Sequence, residues 1–153
     1  MANPIVRDVI AYLSVNDADK AIAWYGHVFG AVGAGAPLRM PDGKIVHCEI
    51  QISDTPIFLA EAADDGLGGS PNDLCGTPVR MALNAQDADA TAAAAANAGA
   101  EVLIPVADQF YGQRAGRIRD PFGHVWLISL SIEDVSPEEM QRRMDAMMQG
   151  GGG

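Results

Sequence analysis

The sequence predicts an α+β fold: two βαβββ modules forming curved mixed sheets around a cup-shaped pocket, plus a C-terminal helix. Three observations carry this expectation. Residues 10–31 and 79–100 repeat one order, an alternating strand, an Asp-containing cap, a helical stretch and a closing Gly-Ala pair. Each helical stretch is followed by three short strand patterns separated by turn residues. A capping box then opens a last helical run near the end of the chain.

In the first copy, alternation places Ala11, Leu13 and Val15 against the helices and leaves Ile10, Tyr12 and Ser14 on the other face. Asp17 stands where an N-cap accepts the free amides of a first helical turn. Gly30 stands where a left-handed C-cap is needed. Between them Ile22, Tyr25 and Phe29, joined by Ala21 and Val28, form one apolar stripe. Strands are expected at 32–39, 45–52 and 56–61, with turns at Pro41 to Gly43 and at Ser53 and Asp54. Within 45–52 the face expected against the helices is Val46, Cys48, Ile50 and Ile52, leaving His47, Glu49 and Gln51 opposite.

In the second copy, Val79, Met81 and Leu83 are expected inward, with Arg80, Ala82 and Asn84 outward. Asp87 repeats the N-cap and Gly99 the glycine after the helix. The alanines at 92–96 favour a helix whose thin face can approach a sheet closely. Strands are expected at 101–106, 113–119 and 124–130, with a turn from Asp120 to Gly123. Trp126 alternates toward the helix side as a core residue, with the pocket mouth as the other place for it, and His124 follows the turn. Arg117 and Arg119 read either as a solvated edge or as lining of the cup.

The last helix is expected at 137–148, with Ser136 and Glu139 as its capping box and Pro137 at its first position. Met140, Met144, Met147 and Met148 line one face opposite Arg142 and Arg143, a pattern expected of a docking or dimer surface. The whole reads as a single domain over 1–149, with modules at 5–63 and 77–132 and a linker at 64–76. Residues 150–153 read as a flexible glycine tail.

A formal net charge of −10 argues against nucleic acid and against an anionic membrane surface as partners. No run reaches membrane-span length, and the N-terminal residues lack the apolar segment of a signal peptide. Cys48 and Cys75 have no metal-type spacing and read as free thiols of a cytoplasmic protein. The outward face of the strands then holds Tyr12, Ser14, His47, Glu49, Gln51, Arg80 and Asn84. Such a face is either a solvated side of an antiparallel sheet or the wall of a concave pocket. The duplication favours the pocket.

Specific runs then carry a resemblance. They are Ala11 to Val15 with Asp17 to Ile22 and Tyr25, Asp42 to Glu49, Asp108 to Gly112, Arg119 to Trp126, and Glu133 to Met140. In these the chain resembles the vicinal oxygen chelate superfamily, which includes glyoxalase I, bleomycin-resistance proteins, fosfomycin-modifying enzymes and extradiol dioxygenases. The resemblance is nearest to its PhnB-like branch and covers about residues 5 to 148. Metal enzymes of that superfamily take ligands from the first and last strands of each module, which places them here at Ile10, Phe58, Arg80 and Leu127. None of these side chains can hold a divalent ion, and the neighbours Ala11, Ile57, Val79 and Trp126 do no better. No metal cofactor is therefore expected.

What the resemblance implies is a pocket in which Tyr12 and Phe58 stack on or shield a ligand and Arg80 pairs with a carboxylate or phosphate. Tyr111 closes its mouth, and Ser14, Gln51, Asn84 and Leu127 complete the lining. The expected function is sequestration or carriage of a small, partly aromatic molecule by a homodimer. The alternative is an enzyme, lyase, isomerase or dioxygenase-like. His47 and Glu49 would then be an acid–base pair or non-standard ligands of a divalent metal.

Overall fold

The computed structural model describes residues 5–63 and 68–151. The first part of the expected linker, 64–67, and the last tail residues, 152–153, lie outside them. The chain divides into two compact units, Met1–Thr77 and Pro78–Gly153. The fold class is the one the sequence predicts: α+β, with two mixed sheets and a C-terminal helix. Among the described residues no helix is long and apolar enough to cross a membrane.

The first unit runs β1 (Ala11–Val15), α1 (Ala18–Phe29), β2 (Val32–Gly33), β3 (Leu38–Arg39), β4 (Ile45–Ile52) and β5 (Thr55–Glu61). Its sheet has the order β1-β5-β4-β2, with β3 also pairing β4. β1 lies parallel to β5, and β4 and β5 form an antiparallel hairpin. Asp17 caps α1 by accepting from the Lys20 amide at 3.0 Å, and Gly30 ends it at φ 69°. Both are local events dictated by side-chain chemistry, and both fall where expected.

Leu13, Val15, Cys48, Ile50, Ile57 and Leu59 are buried on the sheet face toward α1. Each large aliphatic so enclosed contributes on the order of 1.5–3 kcal/mol. The helix face differs from the expected stripe. Ala18, Ala21, Trp24 and Tyr25 are buried, whereas Ile22, Val28 and Phe29 are only half-buried. Trp24 meets Tyr25 and Phe29 edge to face, with centroids 5.5 and 5.4 Å away, and this aromatic group turns the helix toward its indole.

Two strand expectations are corrected. The run 32–39 is not one strand but two two-residue pairings with β4. Val46 is 39% exposed while Ile45 is fully buried. The cause is a bulge: Leu38 pairs His47 but Arg39 pairs Ile45, so β4 carries one extra residue and its alternation slips by one there.

The second unit runs β6 (Arg80–Asn84), α2 (Ala88–Asn97), β7 (Glu101–Asp108), β8 (Gln113–Arg119), β9 (Val125–Ser131) and α3 (Pro137–Gly150). Its sheet has the order β6-β9-β8-β7, with β6 and β9 parallel. Asp87 caps α2 through the Ala90 amide at 2.9 Å, and Gly99 follows at φ 97°. Ile118, Trp126 and Ile128 are buried on the α2 side, as alternation requires. Val79 is a correction: it precedes β6 and is 61% exposed. Pro105 lies in β7, an edge strand, where its missing N–H removes no ladder bond.

The turn from Asp120 to Gly123 has a clear physical basis. The buried Asp120 carboxylate accepts from the Phe122 amide at 2.9 Å and the His124 amide at 3.0 Å through Oδ1. Its Oδ2 accepts from Trp126 Nε1 at 2.8 Å. One side chain thus shapes the turn and anchors the largest core residue of the unit. α3 begins at Ser136, whose hydroxyl accepts from the Glu139 amide at 3.2 Å. It is held to the body by Arg143, which donates to the Phe110 carbonyl at 2.9 Å and pairs with Glu133 at 2.7 Å.

Both cysteines are free, Cys48 buried and Cys75 exposed. Burial first, and the nearby Asp19 charge second, push the Cys48 thiol above its ordinary pKa. In native protein at pH 8, a disulfide-exchange reagent is expected to titrate Cys75 at once and Cys48 only after denaturant is added. Equally fast reaction of both would show that β4 does not enclose its thiol.

Candidate functional site

In the first unit the sheet face opposite α1 gathers four of the expected residues. Phe58 of β5 pairs in register with Tyr12 of β1 on one side and with Glu49 of β4 on the other. His47 lies two residues from Glu49 on the same face. The rings of Tyr12, His47 and Phe58 meet with centroids 5.0 to 5.7 Å apart. Tyr12 Oη and His47 Nδ1 are 2.8 Å apart, and His47 Nε2 lies 3.3 Å from Glu49 Oε1.

This is a phenol–imidazole–carboxylate chain. Burial, and secondarily the Cys48 thiolate charge, push the Tyr12 phenol above its ordinary pKa, so at neutral pH it stays a donor. When it donates to Nδ1, Nε2 carries the ring proton and donates to Glu49. All three side chains remain partly open to solvent. Ser14 and Gln51 share the face but lie further along it, Ser14 opposite Ala60 and Gln51 opposite Pro56.

In the second unit a pocket of about 160 Å³ opens on the sheet face opposite α2. Ile104, Arg117 and Leu127 form its floor as one row in register across β7, β8 and β9. Gln109, Tyr111, Ala115 and Gly116 complete it. Gln109 is tied down by Nε2, which donates to the carbonyls of Ala107 and Ala115, each at 3.3 Å. Gly116 lets β7 come close: a Cβ there would meet the Ile104 carbonyl oxygen at 2.8 Å.

Tyr111 and Leu127 are therefore brought together. Arg80 and Asn84 are not part of this pocket. Arg80 is exposed in the adjacent row beside Val125, and the Asn84 amide oxygen accepts from the Ser129 hydroxyl at 3.3 Å. The lining residues that the sequence alone does not single out are Ile104, Gln109, Ala115 and Gly116. Arg117, for which the sequence allows either edge or lining, lines the pocket. The available signal was the strand alternation that puts Arg117 on the face of Leu127 and Ala115.

The four positions that the resemblance assigns to metal ligands do not suit a divalent ion. Ile10, Phe58, Arg80 and Leu127 supply no carboxylate oxygen or imidazole nitrogen, the donors such an ion requires. Among the described residues no group of three or more His, Cys, Asp and Glu side chains is placed to hold a metal ion. His47 and Glu49 are one imidazole and one carboxylate, spending a 3.3 Å contact on each other.

Residues 6–128 match the family model of the Glyoxalase/Bleomycin resistance protein/Dioxygenase superfamily. An uncharacterized protein of Mycobacterium tuberculosis is 38% identical over 142 residues, covering 91% of this chain and 83% of that one. A glyoxalase-related enzyme from Fulvimarina pelagi superposes with a TM-score of 0.62 at 18% identity, over 82% of this chain and 89% of its own. A PhnB protein from Bacillus cereus, described as a putative 3-demethylubiquinone-9 3-methyltransferase, gives 0.63 at 13% identity, over 82% and 100%. At these identities the two structures speak for the fold alone.

Proposed function

The chain belongs to the Glyoxalase/Bleomycin resistance protein/Dioxygenase superfamily, and from that premise we propose that it binds a small, partly aromatic molecule without a divalent metal, sequestering or carrying it. The observation that carries this reading is the pocket on β7, β8 and β9. Its lining sets Ile104, Ala115, Leu127 and the Tyr111 ring beside the polar Gln109 and Arg117, apolar surface with converging polar groups of the kind a small-molecule site uses. The unsuitable donors at Ile10, Phe58, Arg80 and Leu127 support the metal-free part. Within the superfamily we assign the chain to the PhnB-like branch, on the runs that resemble it. The proposal includes a cytoplasmic setting, supported by two free thiols, and a homodimer, supported by the exposed Met144, Met147 and Met148 of α3.

Calorimetry against a panel of aromatic metabolites and antibiotics, in buffer containing a chelator, tests the reading. At least one panel member is expected to bind with a Kd at or below about 100 μM, unchanged when divalent metal replaces the chelator. Binding that appears only with metal would overturn it, as would a panel with no binder at all.

A second reading is favoured by one specific observation, the 2.8 Å contact that links Tyr12 to His47 and through it to Glu49. A substrate that displaces the Tyr12 hydroxyl from Nδ1 would meet an imidazole oriented by Glu49 and free to take a proton and return it, as a lyase or isomerase requires. On a candidate substrate, His47→Ala is expected to lower kcat by roughly 10²–10⁴. Unchanged turnover would remove this reading and leave the first intact.

A further inference from the structure

Arg117 stands apart from the other arginines of the two sheets and α3. Arg39 pairs with Asp19, Arg114 with Asp89 and Asp108, Arg119 with Glu101, Arg142 with Glu139 and Arg143 with Glu133 and Glu139. Arg80 is exposed at the start of β6. Arg117 is half-buried in the pocket floor, and among the described residues it has no hydrogen-bond or ion-pair partner. The chain carries 20 acidic residues, yet none lines the pocket. A guanidinium brings five donors in a planar fork and cannot shed its charge. Partly withdrawn from water, such a group is stabilised by a planar anion that takes two of those donors at once.

We propose that this pocket recognises the carboxylate of a small organic monoanion, with Arg117 as its bidentate partner and the apolar body of the ligand against Ile104, Leu127 and the Tyr111 ring. The inference rests on the binding reading and deepens it by naming the ligand class. The side-chain set selects a carboxylate over a phosphate. One fork matches one planar acceptor, and the pocket lining holds no second cation to meet a dianion. The net charge of −10 further disfavours a doubly charged ligand. Arg119, two residues along on the same face, is already held by Glu101 at 2.6 Å and adds nothing to the site.

The test is calorimetry in chelator with three matched probes: phenylacetate, its neutral amide and phenyl phosphate. Phenylacetate is expected to bind at least tenfold more tightly than the amide. Arg117→Met, which keeps an apolar stem without the fork, is expected to weaken phenylacetate tenfold to a hundredfold and leave the amide unchanged. Arg117→Lys, which keeps the charge, should retain part of the difference and serves if the Met variant misfolds. Arg119→Gln should bind as the unaltered chain does.

Equal binding of phenylacetate and amide, both insensitive to Arg117→Met, would overturn the inference and leave small-molecule binding standing. Phenyl phosphate binding more tightly than phenylacetate would overturn the choice of anion. Absence of binding by all three probes overturns the inference, and the wider panel described above decides the parent reading separately.

Discussion

Replacing Asp120 with alanine is expected to destabilise the second unit by about 3–5 kcal/mol. Its carboxylate accepts three N–H groups, from Phe122, His124 and the indole of Trp126. Trp126 is 2% exposed, so its Nε1–H would lose its 2.8 Å bond to the carboxylate at a place that water does not reach. Each buried donor orphaned in this way costs about 1–3 kcal/mol. For a chain of this size the loss corresponds to a fall in Tm of roughly 10 °C. Asp120→Asn keeps one oxygen for the two turn amides but sets an amide nitrogen against the indole, or the reverse, and should cost about half as much. Thermal unfolding followed by near-ultraviolet circular dichroism reads both variants. An Asp120→Ala protein that melts within about 1 °C of the unaltered chain would show that the turn holds itself and Trp126 without the carboxylate.

Gly112→Ala is expected to be nearly as costly, about 3 kcal/mol or more, and to disturb the pocket as well. Gly112 has φ 84°, where an L side chain is strained by about 1–2 kcal/mol. A Cβ there would also meet the Glu133 carbonyl oxygen at 2.5 Å and a Val135 methyl at 2.7 Å. Neither is the free end of a flexible chain, so the 109–112 loop or the 132–135 segment must move. The Gly112 carbonyl accepts from the amides of Ile132 and Glu133, which couples the two segments. Because Gln109 and Tyr111 sit on this loop and line the pocket, a folded Gly112→Ala protein should bind ligand more weakly, in parallel with its lower Tm. Unchanged Tm and unchanged affinity together would contradict the close approach at Gly112.

What was legible in the sequence follows the range of the interactions that decide each feature. The helix caps at Asp17 and Asp87 and the glycines at 30 and 99 are set within a few residues, and they read correctly. The Asp120 turn read as a turn, but the role of its carboxylate as anchor for Trp126 needs the indole's position six residues on. The slip at Val46 was hidden because the bulge depends on how β3 pairs β4. Trp24 is buried in place of Ile22, and helical periodicity alone does not say which edge of an apolar stripe meets the sheet.

The candidate site divides along the same line. His47 and Glu49 share a face by alternation, which a single strand reveals. Their union with Tyr12 and Phe58 requires the order β1-β5-β4, a non-local fact. Arg117 and Arg119 are equivalent by alternation, so a single strand cannot tell them apart. Only the register with β7, which sets Glu101 opposite Arg119 and Ile104 opposite Arg117, tells the paired cation from the one facing the pocket.

The most direct test of metal-free ligand binding on the open face of the second sheet is an amide correlation spectrum of the labelled chain. It would be recorded in chelator while the best-binding panel compound is titrated in. Saturable shifts are expected at Ile104, Gln109, Tyr111, Gly116, Arg117 and Leu127, with the same endpoint when a divalent cation replaces the chelator. A spectrum that moves only once the cation is added, or that moves only around Tyr12, His47 and Glu49, would contradict it.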